Sequence, residues 1–214
     1  MIQQHPYCWT FTGKKFFPRN PQPDQIDIID LANGLGREVR FGNQCDCDYT
    51  VAQHSVQIAR VADQLLRASG EPEEVRKKVM LEALLHDGSE YIAGDIPKPV
   101  KEEFGSMSEW EDRVNRAIFT RFGLDYDKID AIVKHLDKRI VIDEALSFFT
   151  FKPDWAVEFQ NDKIGLNLTC WSKEMSSIVW LRMTARLIGL NLTHRDAISM
   201  LRLKGSEYDN SHRN

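Results

Sequence analysis

No apolar run in this 214-residue chain approaches the roughly 18–20 residues that a membrane-crossing helix requires. Nothing at its start resembles a secretory leader, so a cytoplasmic protein without a membrane partner is expected. Cysteine is scarce: Cys8, Cys45, Cys47 and Cys170 lie scattered. Cys45-x-Cys47 has no second Cys/His pair at zinc-finger spacing, which leaves ordinary reduced thiols as the expectation. Positive charge is not in excess either. With 28 Lys+Arg against 32 Asp+Glu the formal net charge is −4, which argues against a broad nucleic-acid surface, and no nucleic-acid partner is expected. Repeats, low-complexity tracts and long linkers are missing too. Residues 1–214 therefore read as one domain, with a core over about residues 24–190 and a frayed tail over 206–214.

What is present is helical periodicity, so the expected fold class is all-α with a short N-terminal β-hairpin. Trp9 to Phe11 and Lys15 to Phe17 flank Gly13-Lys14 as hairpin arms would. Residues 24–36 read as a helix closed by Gly34 and Gly36, and Arg37 to Tyr49 as irregular chain. Thr50-x-x-Gln53 has the form of a capping box, opening a helix whose apolar face runs through Val51, Ile58 and Ala62. Pro72 suits the first turn of the next helix, with Val75, Val79, Ala83 and His86 along one side. Ser106-x-x-Glu109 has the capping-box form again, ahead of a Met107, Trp110, Val114, Ile118, Phe122 stripe. A helix is expected over 125–148, an aperiodic and partly helical connection over 150–169, and a helix from Ser172 to Gly189 with Met175, Ile178, Val179, Met183 and Leu187 inward. A weaker one follows over 193–203.

Polar residues on apolar faces carry the functional signal. His86-Asp87 ends a buried helical run, and a buried Asp is costly unless it is paired or metal-bound. His54 falls between Val51 and Ile58, on an inner face. By itself it reads first as a hydrogen-bonded core histidine. Asp137 shares a face with Val133 and Ile140, yet it also fits an exposed carboxylate beside Lys134 and Lys138. Together, two imidazoles and two carboxylates form a mixed N/O set suited to Mn, Fe, Co, Ni or Zn, with Mg less favoured. Such an ion activates bound water and neutralises phosphoryl oxygens.

The stretches Tyr49 to Ser55, Leu85-His-Asp-Gly-Ser-Glu90, Gly94-Asp-Ile-Pro-Lys-Pro-Val-Lys101 and Val133-Lys-His-Leu-Asp137 resemble the HD-domain metal-dependent phosphohydrolases. The likeness is to the small 5′-deoxynucleotidase branch and its virus-encoded deoxynucleoside triphosphohydrolase relatives, and it covers roughly residues 24–149. It implies an HD-domain helical bundle with His54, His86, Asp87 and Asp137 as metal ligands. It implies Glu90 as the group that handles the proton of the attacking water or leaving oxygen, and Asp95 as a holder of the nucleophile or a nucleoside hydroxyl. Arg40 and Phe41 match a basic–aromatic pair that would grip phosphate and press on the deoxyribose. Lys98 and Lys101 are further candidates for phosphate contact. Relatives of this kind resemble homo-oligomers.

The implied substrate is a small-molecule 2′-deoxynucleotide. The ligand pattern does not separate a monophosphatase acting on dNMPs from a triphosphohydrolase releasing tripolyphosphate. The aromatic N-terminal stretch around Trp9, Phe11 and Phe16, with Ile26 to Phe41, suggests a base pocket and tips the expectation slightly towards a purine-selective, dATP-type triphosphohydrolase. Hydrolysis of a cyclic or signalling nucleotide, and a catalytically silent nucleotide-binding regulator, are the remaining readings.

Overall fold

The computed structural model describes residues 6–201 and is an all-α bundle with one small hairpin. The residues expected to form a tail, 206–214, and the end of the helix expected over 193–203 lie outside the described part. Helices α2 (Val51–Ala68) and α3 (Glu73–Leu85) form the central pair and share the most extensive interface. Around them stand α1 (Ile28–Leu35), α6 (Ser106–Arg121), α7 (Ala131–Phe148) and α9 (Lys173–Leu187). Shorter α4 (Glu90–Ala93), α5 (Lys98–Glu103) and α8 (Asp154–Glu158) link them, and residues 194–201 are helical. Strands β1 (Cys8–Trp9) and β2 (Lys15–Phe16) pair antiparallel, Cys8 opposite Phe16. Among the described residues no helix is long and apolar enough to cross a membrane.

Only half of the expected capping box forms at α2. The Thr50 side chain accepts from Gln53 N at 3.2 Å. The Gln53 side chain does not reach back. Its Nε2 donates to Thr169 O at 2.6 Å, and its Oε1 accepts from Trp171 N at 3.0 Å. Gln53 is fully buried, and a buried amide must find partners on both its ends. Here it finds them on a strand of chain more than a hundred residues away, which it ties to α2.

At α6 the serine of the second expected box is already inside the helix. Gly105 is the N-cap and provides no side-chain bond. The helix expected over 125–148 begins only at Ala131, because two aspartates cap in succession. Asp125 accepts from Asp127 N in a 3-10 turn (Tyr126–Lys128), and Asp130 accepts from Ile132 N at 2.9 Å. Short polar side chains that bond their own backbone two residues on compete with helix continuation.

The inner face of α9 is rotated from the expected one. Met175 is 42% exposed, while Ile178, Trp180, Leu181 and Ala185 are buried. Trp180 decides this: its Nε1 donates to Leu84 O at 3.0 Å, satisfying a carbonyl in the last turn of α3 that has no helical partner. Val75 lies outside the core, 39% exposed. Phe16 and Ile26 have no exposure at all, and Phe16 packs edge-on to Tyr91 at 5.9 Å. These side chains are core rather than walls of a base pocket, and Trp9 is 53% exposed.

Cys47 and Cys170 form a disulfide with Cα atoms 6.4 Å apart, where free thiols were expected; Cys8 and Cys45 are free. The pairing was invisible in sequence because 123 residues separate the two. The connection over 150–169 is pinned to α7 by Asp143, whose carboxylate accepts from Ile164 N, Gly165 N and Leu166 N at 2.6–2.7 Å. Asp143 is 3% exposed, so its loss would strand those amides. Asp143→Ala is expected to lower unfolding free energy by about 3 kcal/mol, the scale of several charge-assisted bonds partly recovered by water. Urea denaturation followed by circular dichroism measures it, and a loss below about 1 kcal/mol would show that the amides are not held this way.

Candidate metal centre

His54 sits in the first turn of α2 with no solvent exposure. Its Nδ1 lies 2.6 Å from Glu144 Oε1, so Nδ1 carries the proton and donates it. His86 caps the C-terminus of α3, and its Nδ1 donates to Ala83 O at 2.8 Å. Each ring is thereby fixed in the tautomer that turns a bare Nε2 lone pair to the other side. Both Nε2 atoms are buried and have no hydrogen-bond partner. Two orphaned buried imidazole nitrogens aimed at one point are a costly arrangement unless something accepts both lone pairs.

The carboxylates meet them there. Asp87 Oδ2 is 3.5 Å from His54 Nε2 and 3.2 Å from His86 Nε2. Asp137 Oδ1, from α7, is 3.2 Å and 3.7 Å from the same two atoms. All four donor atoms lie within 4.8 Å of one another. Donors about 2.1 Å from a common transition-metal ion stand roughly 3.0 Å apart at right angles and roughly 3.4 Å apart at tetrahedral angles. The observed separations fit a shared divalent ion with little adjustment.

The electrostatics agree. Burial works against the charged form of all four groups. The imidazoles outweigh it at Asp87 and Asp137, whose carboxyls stay below the usual carboxylate range, and the carboxylates hold His86 well above the usual histidine value. The two carboxylates thus stay ionised in a buried spot by drawing protons onto the neighbouring imidazoles, and a bound cation would take the place of those protons.

Glu144 completes the support and was not singled out from sequence. It is wholly buried, and its pKa is held down against burial by Arg40 and His54. The available signal was its place seven residues after Asp137, two helical turns along the same face of α7. Arg40 donates from Nε to Glu144 Oε2 at 3.1 Å and from Nη1 to Asp87 Oδ2 at 3.4 Å. The guanidinium expected to grip phosphate is therefore engaged by the centre's own carboxylates.

Glu90 is 5% exposed, with Oε2 unpartnered and Oε1 3.5 Å from Lys101 Nζ. Burial, then the charges of Asp87 and Asp95, push its pKa well above the usual range. Lys101 is shared with Glu111 at 2.8 Å. Asp95 accepts from Phe41 N and donates its own N–H to Glu38 Oε1 at 2.9 Å. It thereby holds a strained loop, since Phe41 and Asn43 both have positive φ, +59° and +63°. Such a backbone costs a non-glycine residue roughly 1–2 kcal/mol. The Phe41 ring meets Phe149 edge-on at 5.1 Å. Lys98 is not drawn in: its side chain is 86% exposed and lies 4.0 Å from Glu102.

With this geometry in view, the matches to known proteins can be placed on it. Residues 39–122 match the model of a family described as 5′-deoxynucleotidase YfbR-like. An uncharacterized protein of Rhodobacter capsulatus is 35% identical over 116 residues, 53% of this chain and 56% of that protein. The uncharacterized protein YfdR of Escherichia coli is 30% identical over 115 residues, 54% of this chain and 57% of its own. The matched part of the chain thus spans little more than half the length of these relatives. The matches support the HD-domain superfamily. The matched span holds Arg40, Phe41, His54, His86, Asp87, Glu90 and Asp95, whereas Asp137 and Glu144 lie beyond it and come in on α7.

Removing the Glu144 carboxylate should loosen the His54 ring without removing a donor atom. Glu144→Gln is expected to weaken Mn or Co binding roughly 10- to 100-fold, the usual effect of losing the partner of a metal-ligating histidine. His86→Ala should abolish stoichiometric binding. Calorimetric metal titration of the two variants reads the difference, and unchanged affinity in both would remove the ion from this cluster.

Proposed function

We propose that the chain is a metal-dependent 5′-deoxynucleotidase that hydrolyses the phosphate ester of 2′-deoxynucleoside 5′-monophosphates. The observation that carries it is the pair of unpartnered imidazole nitrogens converging with Asp87 and Asp137. His54, His86, Asp87 and Asp137 would hold a divalent transition metal. When bound, such an ion lowers the pKa of water and offsets phosphoryl charge.

The remaining roles follow from the chain's own groups. Glu90 stands beside the cluster in a buried site that favours its protonated form, which suits it to give a proton to the leaving 5′-oxygen. Lys101 keeps that carboxyl oriented. Arg40 braces Asp87 and Glu144, and any N–H group it has left over would be available to a phosphate held at the cluster. Phe41, held by Asp95 and backed by Phe149, offers an apolar edge to the sugar, where a ribose 2′-hydroxyl would lose hydrogen bonds to water.

The triphosphohydrolase expectation finds less support than the monophosphatase one. The family description names a deoxynucleotidase. Arg40 and Lys101 are already engaged by carboxylates and Lys98 faces solvent. A triphosphate carries several more charges than a monophosphate and needs more uncommitted cations.

Assay of the Mn- or Co-loaded full chain against dNMP, NMP and dNTP panels is expected to give inorganic phosphate from dNMPs and little from NMPs. Tripolyphosphate release from dATP would reinstate the triphosphohydrolase reading, and no turnover of any nucleotide would sink the enzyme. Glu90→Ala should keep metal stoichiometry and lose about 10²- to 10⁴-fold in rate, the range for a lost general acid. Full activity in that variant would remove Glu90 from the chemistry.

A further inference from the structure

A concavity lies between α2, α3 and α9, with a charge opposite to that of the chain as a whole. Arg60, Arg67, Arg76, Lys77, Arg182 and Arg186 line it, against only Asp63 and Glu73, in a protein of net charge −4. Its floor is apolar: Met80, Val179, Met183 and Leu187. Arg76 precedes His86 by ten residues on α3, about 15 Å of helix, so the groove is separate from the His/Asp cluster.

Several of its guanidiniums are held in position. Asp63 accepts from Arg67 Nη2 at 2.9 Å and from Arg76 Nη1 at 2.5 Å. One carboxylate between two guanidiniums orients both and neutralises only one. Arg182 Nε is tied to Leu192 O at 3.2 Å, and the Arg60 guanidinium lies over the Trp171 ring at 5.1 Å. Lys77 is offset by Glu73 and Glu74, at 2.8 and 3.6 Å, so the surplus charge rests on arginines. Forked, weakly hydrated and always charged, arginine is the side chain suited to bidentate phosphate binding.

We propose that this groove binds a compact polyphosphate anion, either free or as the phosphate chain of a nucleotide. A surface for extended nucleic acid would need its cations to run on as a stripe. Here they ring a bounded concavity of about 510 Å³, a size typical of small-ligand sites. Outside it the chain is net acidic, which disfavours a long polyanion. The apolar floor is where the base of a nucleoside-borne polyphosphate would rest.

The test is calorimetric titration of the metal-free full chain with sodium tripolyphosphate, dATP, inorganic phosphate and a single-stranded oligonucleotide. Wild type, His86→Ala and the double charge reversal Arg182→Glu/Arg186→Glu are compared. Tripolyphosphate or dATP should bind wild type and His86→Ala equally and bind the charge-reversed variant at least about tenfold more weakly, with affinity falling as salt rises. Those two ligands distinguish free from nucleoside-borne polyphosphate. If the reversal fails to fold by circular dichroism, Arg60→Gln and Arg186→Gln serve in its place, each with a weaker version of the same loss. Binding that disappears in His86→Ala and survives charge reversal would put the anion at the His/Asp cluster and overturn the proposal. So would the absence of binding by both polyphosphates, or binding by the oligonucleotide alone.

Discussion

The hydrogen bond between His54 Nδ1 and Glu144 Oε1 is the constraint on which the centre depends. It is 2.6 Å long, has no solvent access at either end and joins residues 90 apart. It sets the tautomer of His54, and so the direction of the nitrogen that meets Asp87 and Asp137. Against burial, Arg40 first and His54 after it keep Glu144 ionised, and Arg40 reaches on to Asp87. Without the Glu144 carboxylate the Arg40 charge would lose its fully buried partner, and α7 would lose one of the two polar contacts it makes to His54 on α2.

The rest of the bundle is arranged by bonds of another kind, from buried side chains to distant backbone. Gln53 holds the chain at Thr169 and Trp171, Trp180 holds the end of α3 at Leu84, and Asp143 holds the chain at Ile164 to Leu166. Asp95 does the same for the strained backbone at Phe41. Each pairs backbone groups that have no partner within a helix or strand. Helix packing supplies the burial, and these anchors set where the connecting chain runs over the helices.

Much of this was readable before any coordinates. The helices α2, α3, α6, α7 and α9 announce themselves by apolar spacing, and the Thr50 cap and the hairpin turn by local chemistry. His86 and Asp87 stood out as polar residues ending a buried helical run, whereas His54 and Asp137 became candidate ligands only through the resemblance to a known family. Three of the misses share one cause. Gln53 was assigned to a local box, the α9 face to Met175, and Cys47 to a free thiol, because spacing describes neighbours along the chain. The partners that decided otherwise, at Thr169, Leu84 and Cys170, lie some 95 to 125 residues away. The basic groove escaped notice for the same reason: its arginines come from three helices, each unremarkable alone.

Sequence alone determined the fold class and most of the helices, and it put forward the candidate ligands, since periodicity and residue chemistry are local properties and survive in a string of letters. Tertiary structure decided that four donors meet within one ion's reach and that Glu144 and Arg40 stand behind them. It also decided that the arginines of α2, α3 and α9 share one groove. Those are statements about distance in space, and distance between remote residues exists only once the helices have packed.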